Sequence, residues 1–440
     1  MSFIDKWLPR QFFFSLRWQF VSNAAQGIFG GLYLILLGRV LGVTQFGIYS
    51  LATSLVAIAF MFVELRLHEV VIRFVCPMDK SFTSEQGGIC IADLLCMDVV
   101  VRSILLVVVL LLLPWIGKVW AVTAPTTEVL LACAVVYFLA KAGNSTAIGL
   151  LRVLNRFDAA AKLVACEWFV KLVSLAFLSI WFQLTVVQAV VLAGVAGLAS
   201  NAMMIALAAK SWNETYSGTI RLRFQGMGQR LAGIRRYIYS NLGVSLSDLL
   251  VRDLDVAITG SFLSLELVGI YKMSKNVVQM MWRVVDPFFL VLMPELRKMR
   301  GENDVETLVV FIKTIARLLF VVSLCLVAIV WACLVLFGIR IFGIGFSGIS
   351  TIFPYMAVWV IVSAPLLWAH PLASSAGHPE VLLIGTFFAN LVGLAMFVPL
   401  VYFLGITGAG IGWSLTSMLG FVATAYLCKR LGLLNKGSDR

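Results

Sequence analysis

Long apolar runs, most of them of bilayer-crossing length, follow one another along almost the whole chain and are separated by short polar or basic segments. A helix needs about 20 such residues to cross the hydrocarbon of a bilayer. The runs are continuous rather than alternating. They therefore read as helices and exclude a transmembrane barrel, the other architecture that satisfies its own backbone in lipid. Twelve spans are predicted, near 20–37, 46–63, 89–113, 129–151, 160–181, 186–209, 237–260, 266–293, 307–337, 348–370, 381–404 and 408–428. The stretch Lys210–Arg236 contains no run of spanning length and divides the spans six and six. The expected fold is an all-α polytopic membrane protein with an N-terminal half (1–209), a basic linker (210–236) and a C-terminal half (237–440).

The two halves carry nearly the same segment. Gly38–Tyr49 reads GRVLGVTQFGIY and Gly260–Tyr271 reads GSFLSLELVGIY, so the second copy follows the first by half the length of the chain. Chance matches of Leu and Val are frequent in so apolar a chain, so the weight rests on the paired glycines and the shared Gly-Ile-Tyr. With six spans each, both halves begin on the same side. The repeats are then expected to be related by a pseudo-twofold axis along the membrane normal.

Composition supports the membrane reading. The chain is 61% hydrophobic and 13% charged, against about 45–50% and about 25% in soluble domains. With both termini placed inside, the inner segments hold 21 Lys and Arg and the outer loops hold Arg39, Lys118 and Arg340. This bias sets the orientation. The net charge of +12 then faces an anionic inner leaflet of membrane lipids, and no nucleic-acid partner is implied. The segment ahead of the first span shows no cleavage site and reads as an interfacial lead-in rather than a removed signal. There is no P-loop, no dinucleotide turn, no Cys-x-x-Cys and no metal-ligand cluster, so neither cofactor nor metal is expected. The longest outer loop is roughly Pro114–Glu128, short for the catalytic groups of a membrane glycan polymerase or ligase, and the chain is read as a non-enzyme.

Charges inside spans cost a few kcal/mol each on insertion scales and mark function by default. Here they are Asp93, Asp98 and Arg102; Lys141; Glu167 and Lys171; Asp248, Arg252, Asp253 and Asp255; and Lys272, Lys275, Arg283 and Asp286. Asp98/Arg102, Glu167/Lys171 and Asp248/Arg252 are four apart and can neutralise each other on one helix face. Lys272 and Lys275 share a face and have no local partner, so water, another helix or a ligand must meet their charge. Two readings stay open: internal salt bridges that fix register, or a water-filled cationic cavity. The cavity is favoured for Arg252, Lys272, Lys275, Arg283 and Lys141. Snorkelling is an alternative for Lys272 and Lys275. An anion, phosphate above all, suits such donors. Candidates to carry a proton or cation are Asp253, which lacks a basic partner one helical turn away, Asp255, Asp248, Asp286, and Glu64, which precedes Asp286 by the same offset that separates the repeated segments.

GRVLGVTQFGIYSLA and RDLDVAITGSFLSLELVGIYKMSKNV, together with LRVLNRFDAAAK after span 4, resemble the polysaccharide and O-antigen flippases of the multidrug/oligosaccharidyl-lipid/polysaccharide exporter superfamily, and the resemblance runs the full length. The chain departs from that family at the end of span 2, where ELRLHEVVIRFV brings Arg66, His68 and Glu69 in place of a glycine pair or Leu-Gly break. The resemblance implies a flippase. It would carry an undecaprenyl-diphosphate-linked oligosaccharide across the bacterial inner membrane by alternating access, driven by proton or sodium antiport, beside glycan polymerase machinery. Arg252, Lys272, Lys275, Arg283, Lys141, Arg102 and Lys171 are the candidates to hold the anionic substrate. The alternative is a multidrug/cation antiporter of the same superfamily, although cationic drugs favour an acidic or aromatic cavity and the basic excess speaks against it.

Overall fold

The computed structural model describes residues 10–74, 84–119, 124–216, 220–223, 225–230, 234–235, 237–239, 242, 245, 253–301, 305–375 and 379–433. In chain order the helices are α1 (Arg10–Met61), α2 (Leu67–Phe74), α3 (Ser84–Val119), α4 (Ala124–Lys141), α5 (Asn144–Val153), α6 (Phe157–Trp181), α7 (Val186–Tyr216), α8 (Leu254–Phe262), α9 (Leu265–Gly301), α10 (Val305–Phe342), α11 (Ile349–Ser363), α12 (Ala369–Ser375) and α13 (Pro379–Arg430). Among the described residues there is no strand. Eight stretches of the described residues are long and apolar enough to cross a membrane: Val21–Met61, Glu85–Leu113, Thr127–Val153, Phe157–Trp181, Val186–Tyr216, Glu306–Phe342, Ile349–Ala373 and Gly385–Arg430. The chain is a multi-pass helical membrane protein.

The structure refines the predicted joints. The turn expected between the first two spans is a single-residue break. Helix α1 runs on through it, kinked at Gly42, whose φ of 76° and ψ of 167° suit a residue without a Cβ. A similar break at Gly405 divides α13. In the second copy of the repeated segment, α8 ends against Leu263 in extended backbone (φ −118°) and α9 begins shortly after, at Leu265, close to the place equivalent to Gly42. Two crossings predicted as continuous are interrupted near their centres. Thr127–Val153 breaks at Ala142–Gly143, and Ile349–Ala373 breaks into a 3-10 turn at Ala364–Leu366. Ala142 and Ala364 are themselves separated by the offset of the repeat.

The described residues pack into two units, one made from residues 1–40 and 55–246, the other from 41–54 and 247–440. In unit 1, Leu67, Val70 and Val71 of α2 join Ile91 and Leu94 of α3, Leu150 and Leu151 of α5 and Met204 of α7 in one buried cluster. In unit 2, Val285 of α9, Leu308 and Leu319 of α10, Leu372 of α12 and Cys428 of α13 form another.

Within unit 2 the two repeated segments pack against each other through their glycines. A Cβ built on Gly47 would overlap the Leu265 carbonyl oxygen, and one on Gly269 would overlap the Val43 carbonyl oxygen, both well inside the 3.0 Å that real Cβ atoms keep. Leu265 stands at the position equivalent to Val43, so the contact is reciprocal, as in an isologous interface. Gly260, the other repeated glycine, admits Leu51, whose Cδ1 comes within 2.7 Å of a built Cβ.

Candidate functional site

In unit 1 two interrupted helices meet one charged stretch of α3. Between α1 and α2, residues 62–66 leave the helix, and Arg66 takes a left-handed conformation (φ 45°). The freed carbonyl of Glu64 accepts a bond from Ser245 Oγ at 2.8 Å, and Ser245 in turn accepts from Arg66 Nε. The second interruption follows Lys141. Gly143, at φ 76°, starts α5 and donates its backbone N–H to Asp98 Oδ2 at 2.7 Å. Asn201 of α7 donates to the Leu139 and Ala142 carbonyls at 3.0 and 2.9 Å and accepts from Asn144. Irregular backbone is tolerated at membrane depth only when protein groups meet it in this way. The half-helices α2 and α5 are tied by His68, whose backbone N–H and ring Nδ1 both bond Ser145 Oγ. Burial, helped by Arg152, holds the His68 imidazole below its ordinary pKa.

Asp98 therefore has two duties. Its Oδ1 accepts from Arg102 Nε at 2.9 Å, and its Oδ2 caps the helix break. Arg102 also donates through Nη2 to Glu64 Oε2 at 3.1 Å, while its buried Nη1 meets no partner among the described residues. Asp98 and Arg102 are almost wholly buried; the Glu64 carboxyl is 32% exposed. Glu167 and Lys171 of α6 pair as their spacing predicts, and Lys171 also sits over the Trp168 ring at 4.8 Å. Lys141 is exposed, lies within electrostatic reach of Glu167, Glu64, Lys171 and Arg102, and makes no ion pair among the described residues. The site thus collects three carboxylates and three cations, with one cation and one guanidinium donor left unmet.

Unit 2 meets its charges differently. Lys272 reaches Asp253 Oδ1 at 3.1 Å, and Ser54 donates to the same oxygen at 3.1 Å. Lys275 lies on both oxygens of Asp255 at 2.9 and 2.7 Å, and the hydroxyl of Tyr271, the tyrosine of the repeated Gly-Ile-Tyr, donates to Asp255 Oδ2. Another helix meets the two lysines, and Asp253 finds the basic partner that its own helix does not offer. The Lys272 pair is about one-fifth exposed; the Lys275 pair is buried. Arg283 and Asp286 are exposed, and Asp286 accepts a bond from the Trp282 side chain. Asp248 and Arg252 lie outside the described residues.

Removing one member of the buried pair leaves an uncompensated charge, which costs about 3–5 kcal/mol, whereas replacing both by apolar groups is often neutral. Lys275→Met is therefore expected to lower the melting temperature of purified protein strongly, and Asp255→Leu with Lys275→Met to recover most of the loss. A double variant no more stable than the single one would remove this account.

Sequence reasoning missed two features. Asn201 escaped because a lone amide in an apolar run carries no mark of what it bonds; Gly143-Asn144 was the available turn signal. The other is an arginine of the linker. Arg230 makes a two-pronged pair with the fully buried Asp93 of α3, through Nε at 2.6 Å and Nη2 at 3.1 Å, and ties down the carbonyls of Arg223 and Gln225. The pairing with Asp93 raises the Arg230 pKa further.

Helices interrupted beside ionisable groups recur in membrane transporters. Several solved structures share this fold. The lipid II flippase MurJ in an inward closed conformation superposes with a TM-score of 0.68 at 11% identity, over 93% of this chain and 87% of that one. An inward-facing multidrug resistance MATE family transporter of the MOP superfamily gives 0.57 at 15% identity, over 95% and 94%. The Vibrio cholerae MATE transporter VcmN gives 0.61 at 11% identity, over 97% and 98%. Residues 15–300 match the family model described as polysaccharide biosynthesis protein. The chain belongs to that family and shares the fold of these solved structures. No curated protein matches it.

Proposed function

We propose that this protein is a flippase for a lipid-linked oligosaccharide, carried across the bacterial inner membrane on an undecaprenyl-diphosphate anchor. Twelve spans in two six-helix halves, with both termini cytoplasmic, frame the transport path, and the chain performs no covalent chemistry. The observation that carries the reading is the pairing of an exposed Lys141, without an ion pair among the described residues, with the unmet Nη1 of Arg102 beside two interrupted helices in unit 1. A diphosphate is the natural guest for such donors. Lys272 and Lys275 are engaged by Asp253 and Asp255, so the weight of anion binding shifts to Lys141 and Arg102, with Lys171 beside them. Among the proposed coupling groups, Glu64 is the part-exposed carboxylate that already holds Arg102. A proton or sodium ion is the coupling partner assigned to it and to Asp253.

The test is complementation of a strain deleted for this protein. Wild type restores surface glycan. Lys141→Glu is expected to cut surface glycan at least tenfold at normal expression, since it reverses a cation at the anion site, while Lys162→Glu on the exposed part of α6 has no effect. Full restoration by a normally expressed Lys141→Glu protein would contradict the assignment. Drug resistance on overexpression without glycan restoration would instead favour a multidrug exporter.

A further inference from the structure

Unit 2 holds an aromatic cluster that the charged groups do not use. On α11 the run Trp359-Val-Ile-Val-Ser363, and on α13 the run Trp413-Ser-Leu-Thr-Ser417, repeat the pattern Trp-x-x-x-Ser. In each helix this sets a hydroxyl one turn beyond an indole on the same face. The two indoles meet edge to face with ring centroids 5.1 Å apart, and Trp282 of α9 stacks on Trp359 at 4.6 Å. Trp282 also touches Phe421, which stacks on His370. Lys275 stands over Trp413 at 5.7 Å, with its charge already met by Asp255.

The polar atoms of this cluster have no partner among the described residues. Trp359 Nε1, Trp413 Nε1, Ser363 Oγ, Ser417 Oγ and His370 Nε2 are all buried and unbonded. Ser363 is fully buried, and Trp413 is 3% exposed. The Trp282 indole, by contrast, has Asp286. Each unmet buried donor carries its full desolvation cost, and a dry core of the same shape is made from Phe and Ala. Five such atoms among five aromatic rings call for a guest that offers hydroxyls at its edge and C–H groups on its faces, and that carries no charge. A pyranose ring has this chemistry; water can meet the donors but not the ring faces.

We propose that the Trp282–Trp359–Trp413 cluster with Ser363 and Ser417 docks a neutral sugar ring of the glycan, an inference that rests on the flippase reading. Trp359 and Trp413 donate their N–H groups to sugar oxygens, the serines exchange hydrogen bonds with its hydroxyls, and Trp282 supplies a stacking face. The indoles close on one another in the conformation described, so the sugar enters by parting Trp282 from Trp359.

The test uses purified full-length protein in lipid nanodiscs and two probes. One is the lipid-linked oligosaccharide extracted from a strain deleted for this protein; the other is undecaprenyl diphosphate without sugar. The variants are Trp359→Phe with Trp413→Phe, which keeps the rings and removes the N–H groups, and Ser363→Ala with Ser417→Ala. Both are mild enough to fold, which melting checks. Each pair is expected to weaken binding of the glycosylated lipid about tenfold and to leave the bare carrier unaffected. Wild-type affinity for both lipids in both variants means that the cluster holds water only, and equal weakening for both lipids means that it is merely structural; either overturns the docking site and leaves the flippase reading standing. A wild-type protein that binds neither lipid removes both.

Discussion

Asp98→Ala is expected to cost more folded protein than any other single charge removal. The change strips a buried guanidinium of one of its two carboxylates and leaves the Gly143 N–H unmet where α5 begins. Breaking a buried pair from one side costs about 3–5 kcal/mol, and an unmet buried N–H adds about 1–3 kcal/mol. Measured against a total stability of about 5–15 kcal/mol, that loss removes most of the monodisperse protein recovered from membranes. Asp98→Asn keeps an acceptor for Gly143 and loses only the charge, so its yield should fall between alanine and wild type. The exposed Lys162–Asp158 pair, 3.4 Å apart, is the control; Lys162→Ala should be neutral within about 0.5 kcal/mol. Fluorescence-detected size exclusion with thermal melts checks all three. If Asp98→Ala melts with the wild type, the carboxylate is not the cap that holds the broken helix.

The second large effect belongs to the repeated glycines. Gly47→Ala drives a methyl group into the Leu265 carbonyl oxygen, and Gly269→Ala drives one into that of Val43, the first overlap being the deeper. Both obstacles are backbone, which no side-chain rotation can move aside. Overpacking costs about 1–3 kcal/mol and more when the backbone must shift, which outweighs the roughly 1 kcal/mol that alanine gains over glycine in a helix. Both variants should melt well below wild type, with Gly47→Ala the worse. Gly338→Ala, where a Cβ meets nothing within 4 Å, should be neutral or slightly stabilising. The reciprocity of the contact also predicts that the double variant is less destabilised than the sum of the singles, because one separation of the two helices relieves both clashes. Additive losses would mean that the glycines act independently.

Much of this architecture was written in local pattern. Apolar run length sets the spans, since lipid offers the backbone no other way to satisfy itself. The pairs Asp98/Arg102 and Glu167/Lys171 were legible because residues four apart on a helix are neighbours. The partners of Lys272 and Lys275 were not. Nineteen and twenty positions separate them from Asp253 and Asp255, and such pairing depends on how α8 and α9 pack. The break at Gly143 was half visible: the Gly-Asn pair was there, but the Asp98 and Asn201 groups that make a mid-membrane break tolerable come from α3 and α7. The departure at the end of span 2 resolves into a real break, with Arg66 in the left-handed conformation held by Ser245.

By itself the sequence determined the material of this protein: helices long enough for a bilayer, a duplicated Gly-Ile-Tyr segment, and ionisable groups placed inside the spans at a cost in lipid. Only the tertiary structure decided which of those charges have a partner among the described residues. The charges can be read along the chain, but their neutralisation is a property of distances between helices. Those distances pair the lysines of unit 2 while leaving Lys141 and one buried donor of Arg102 without a partner among the described residues of unit 1.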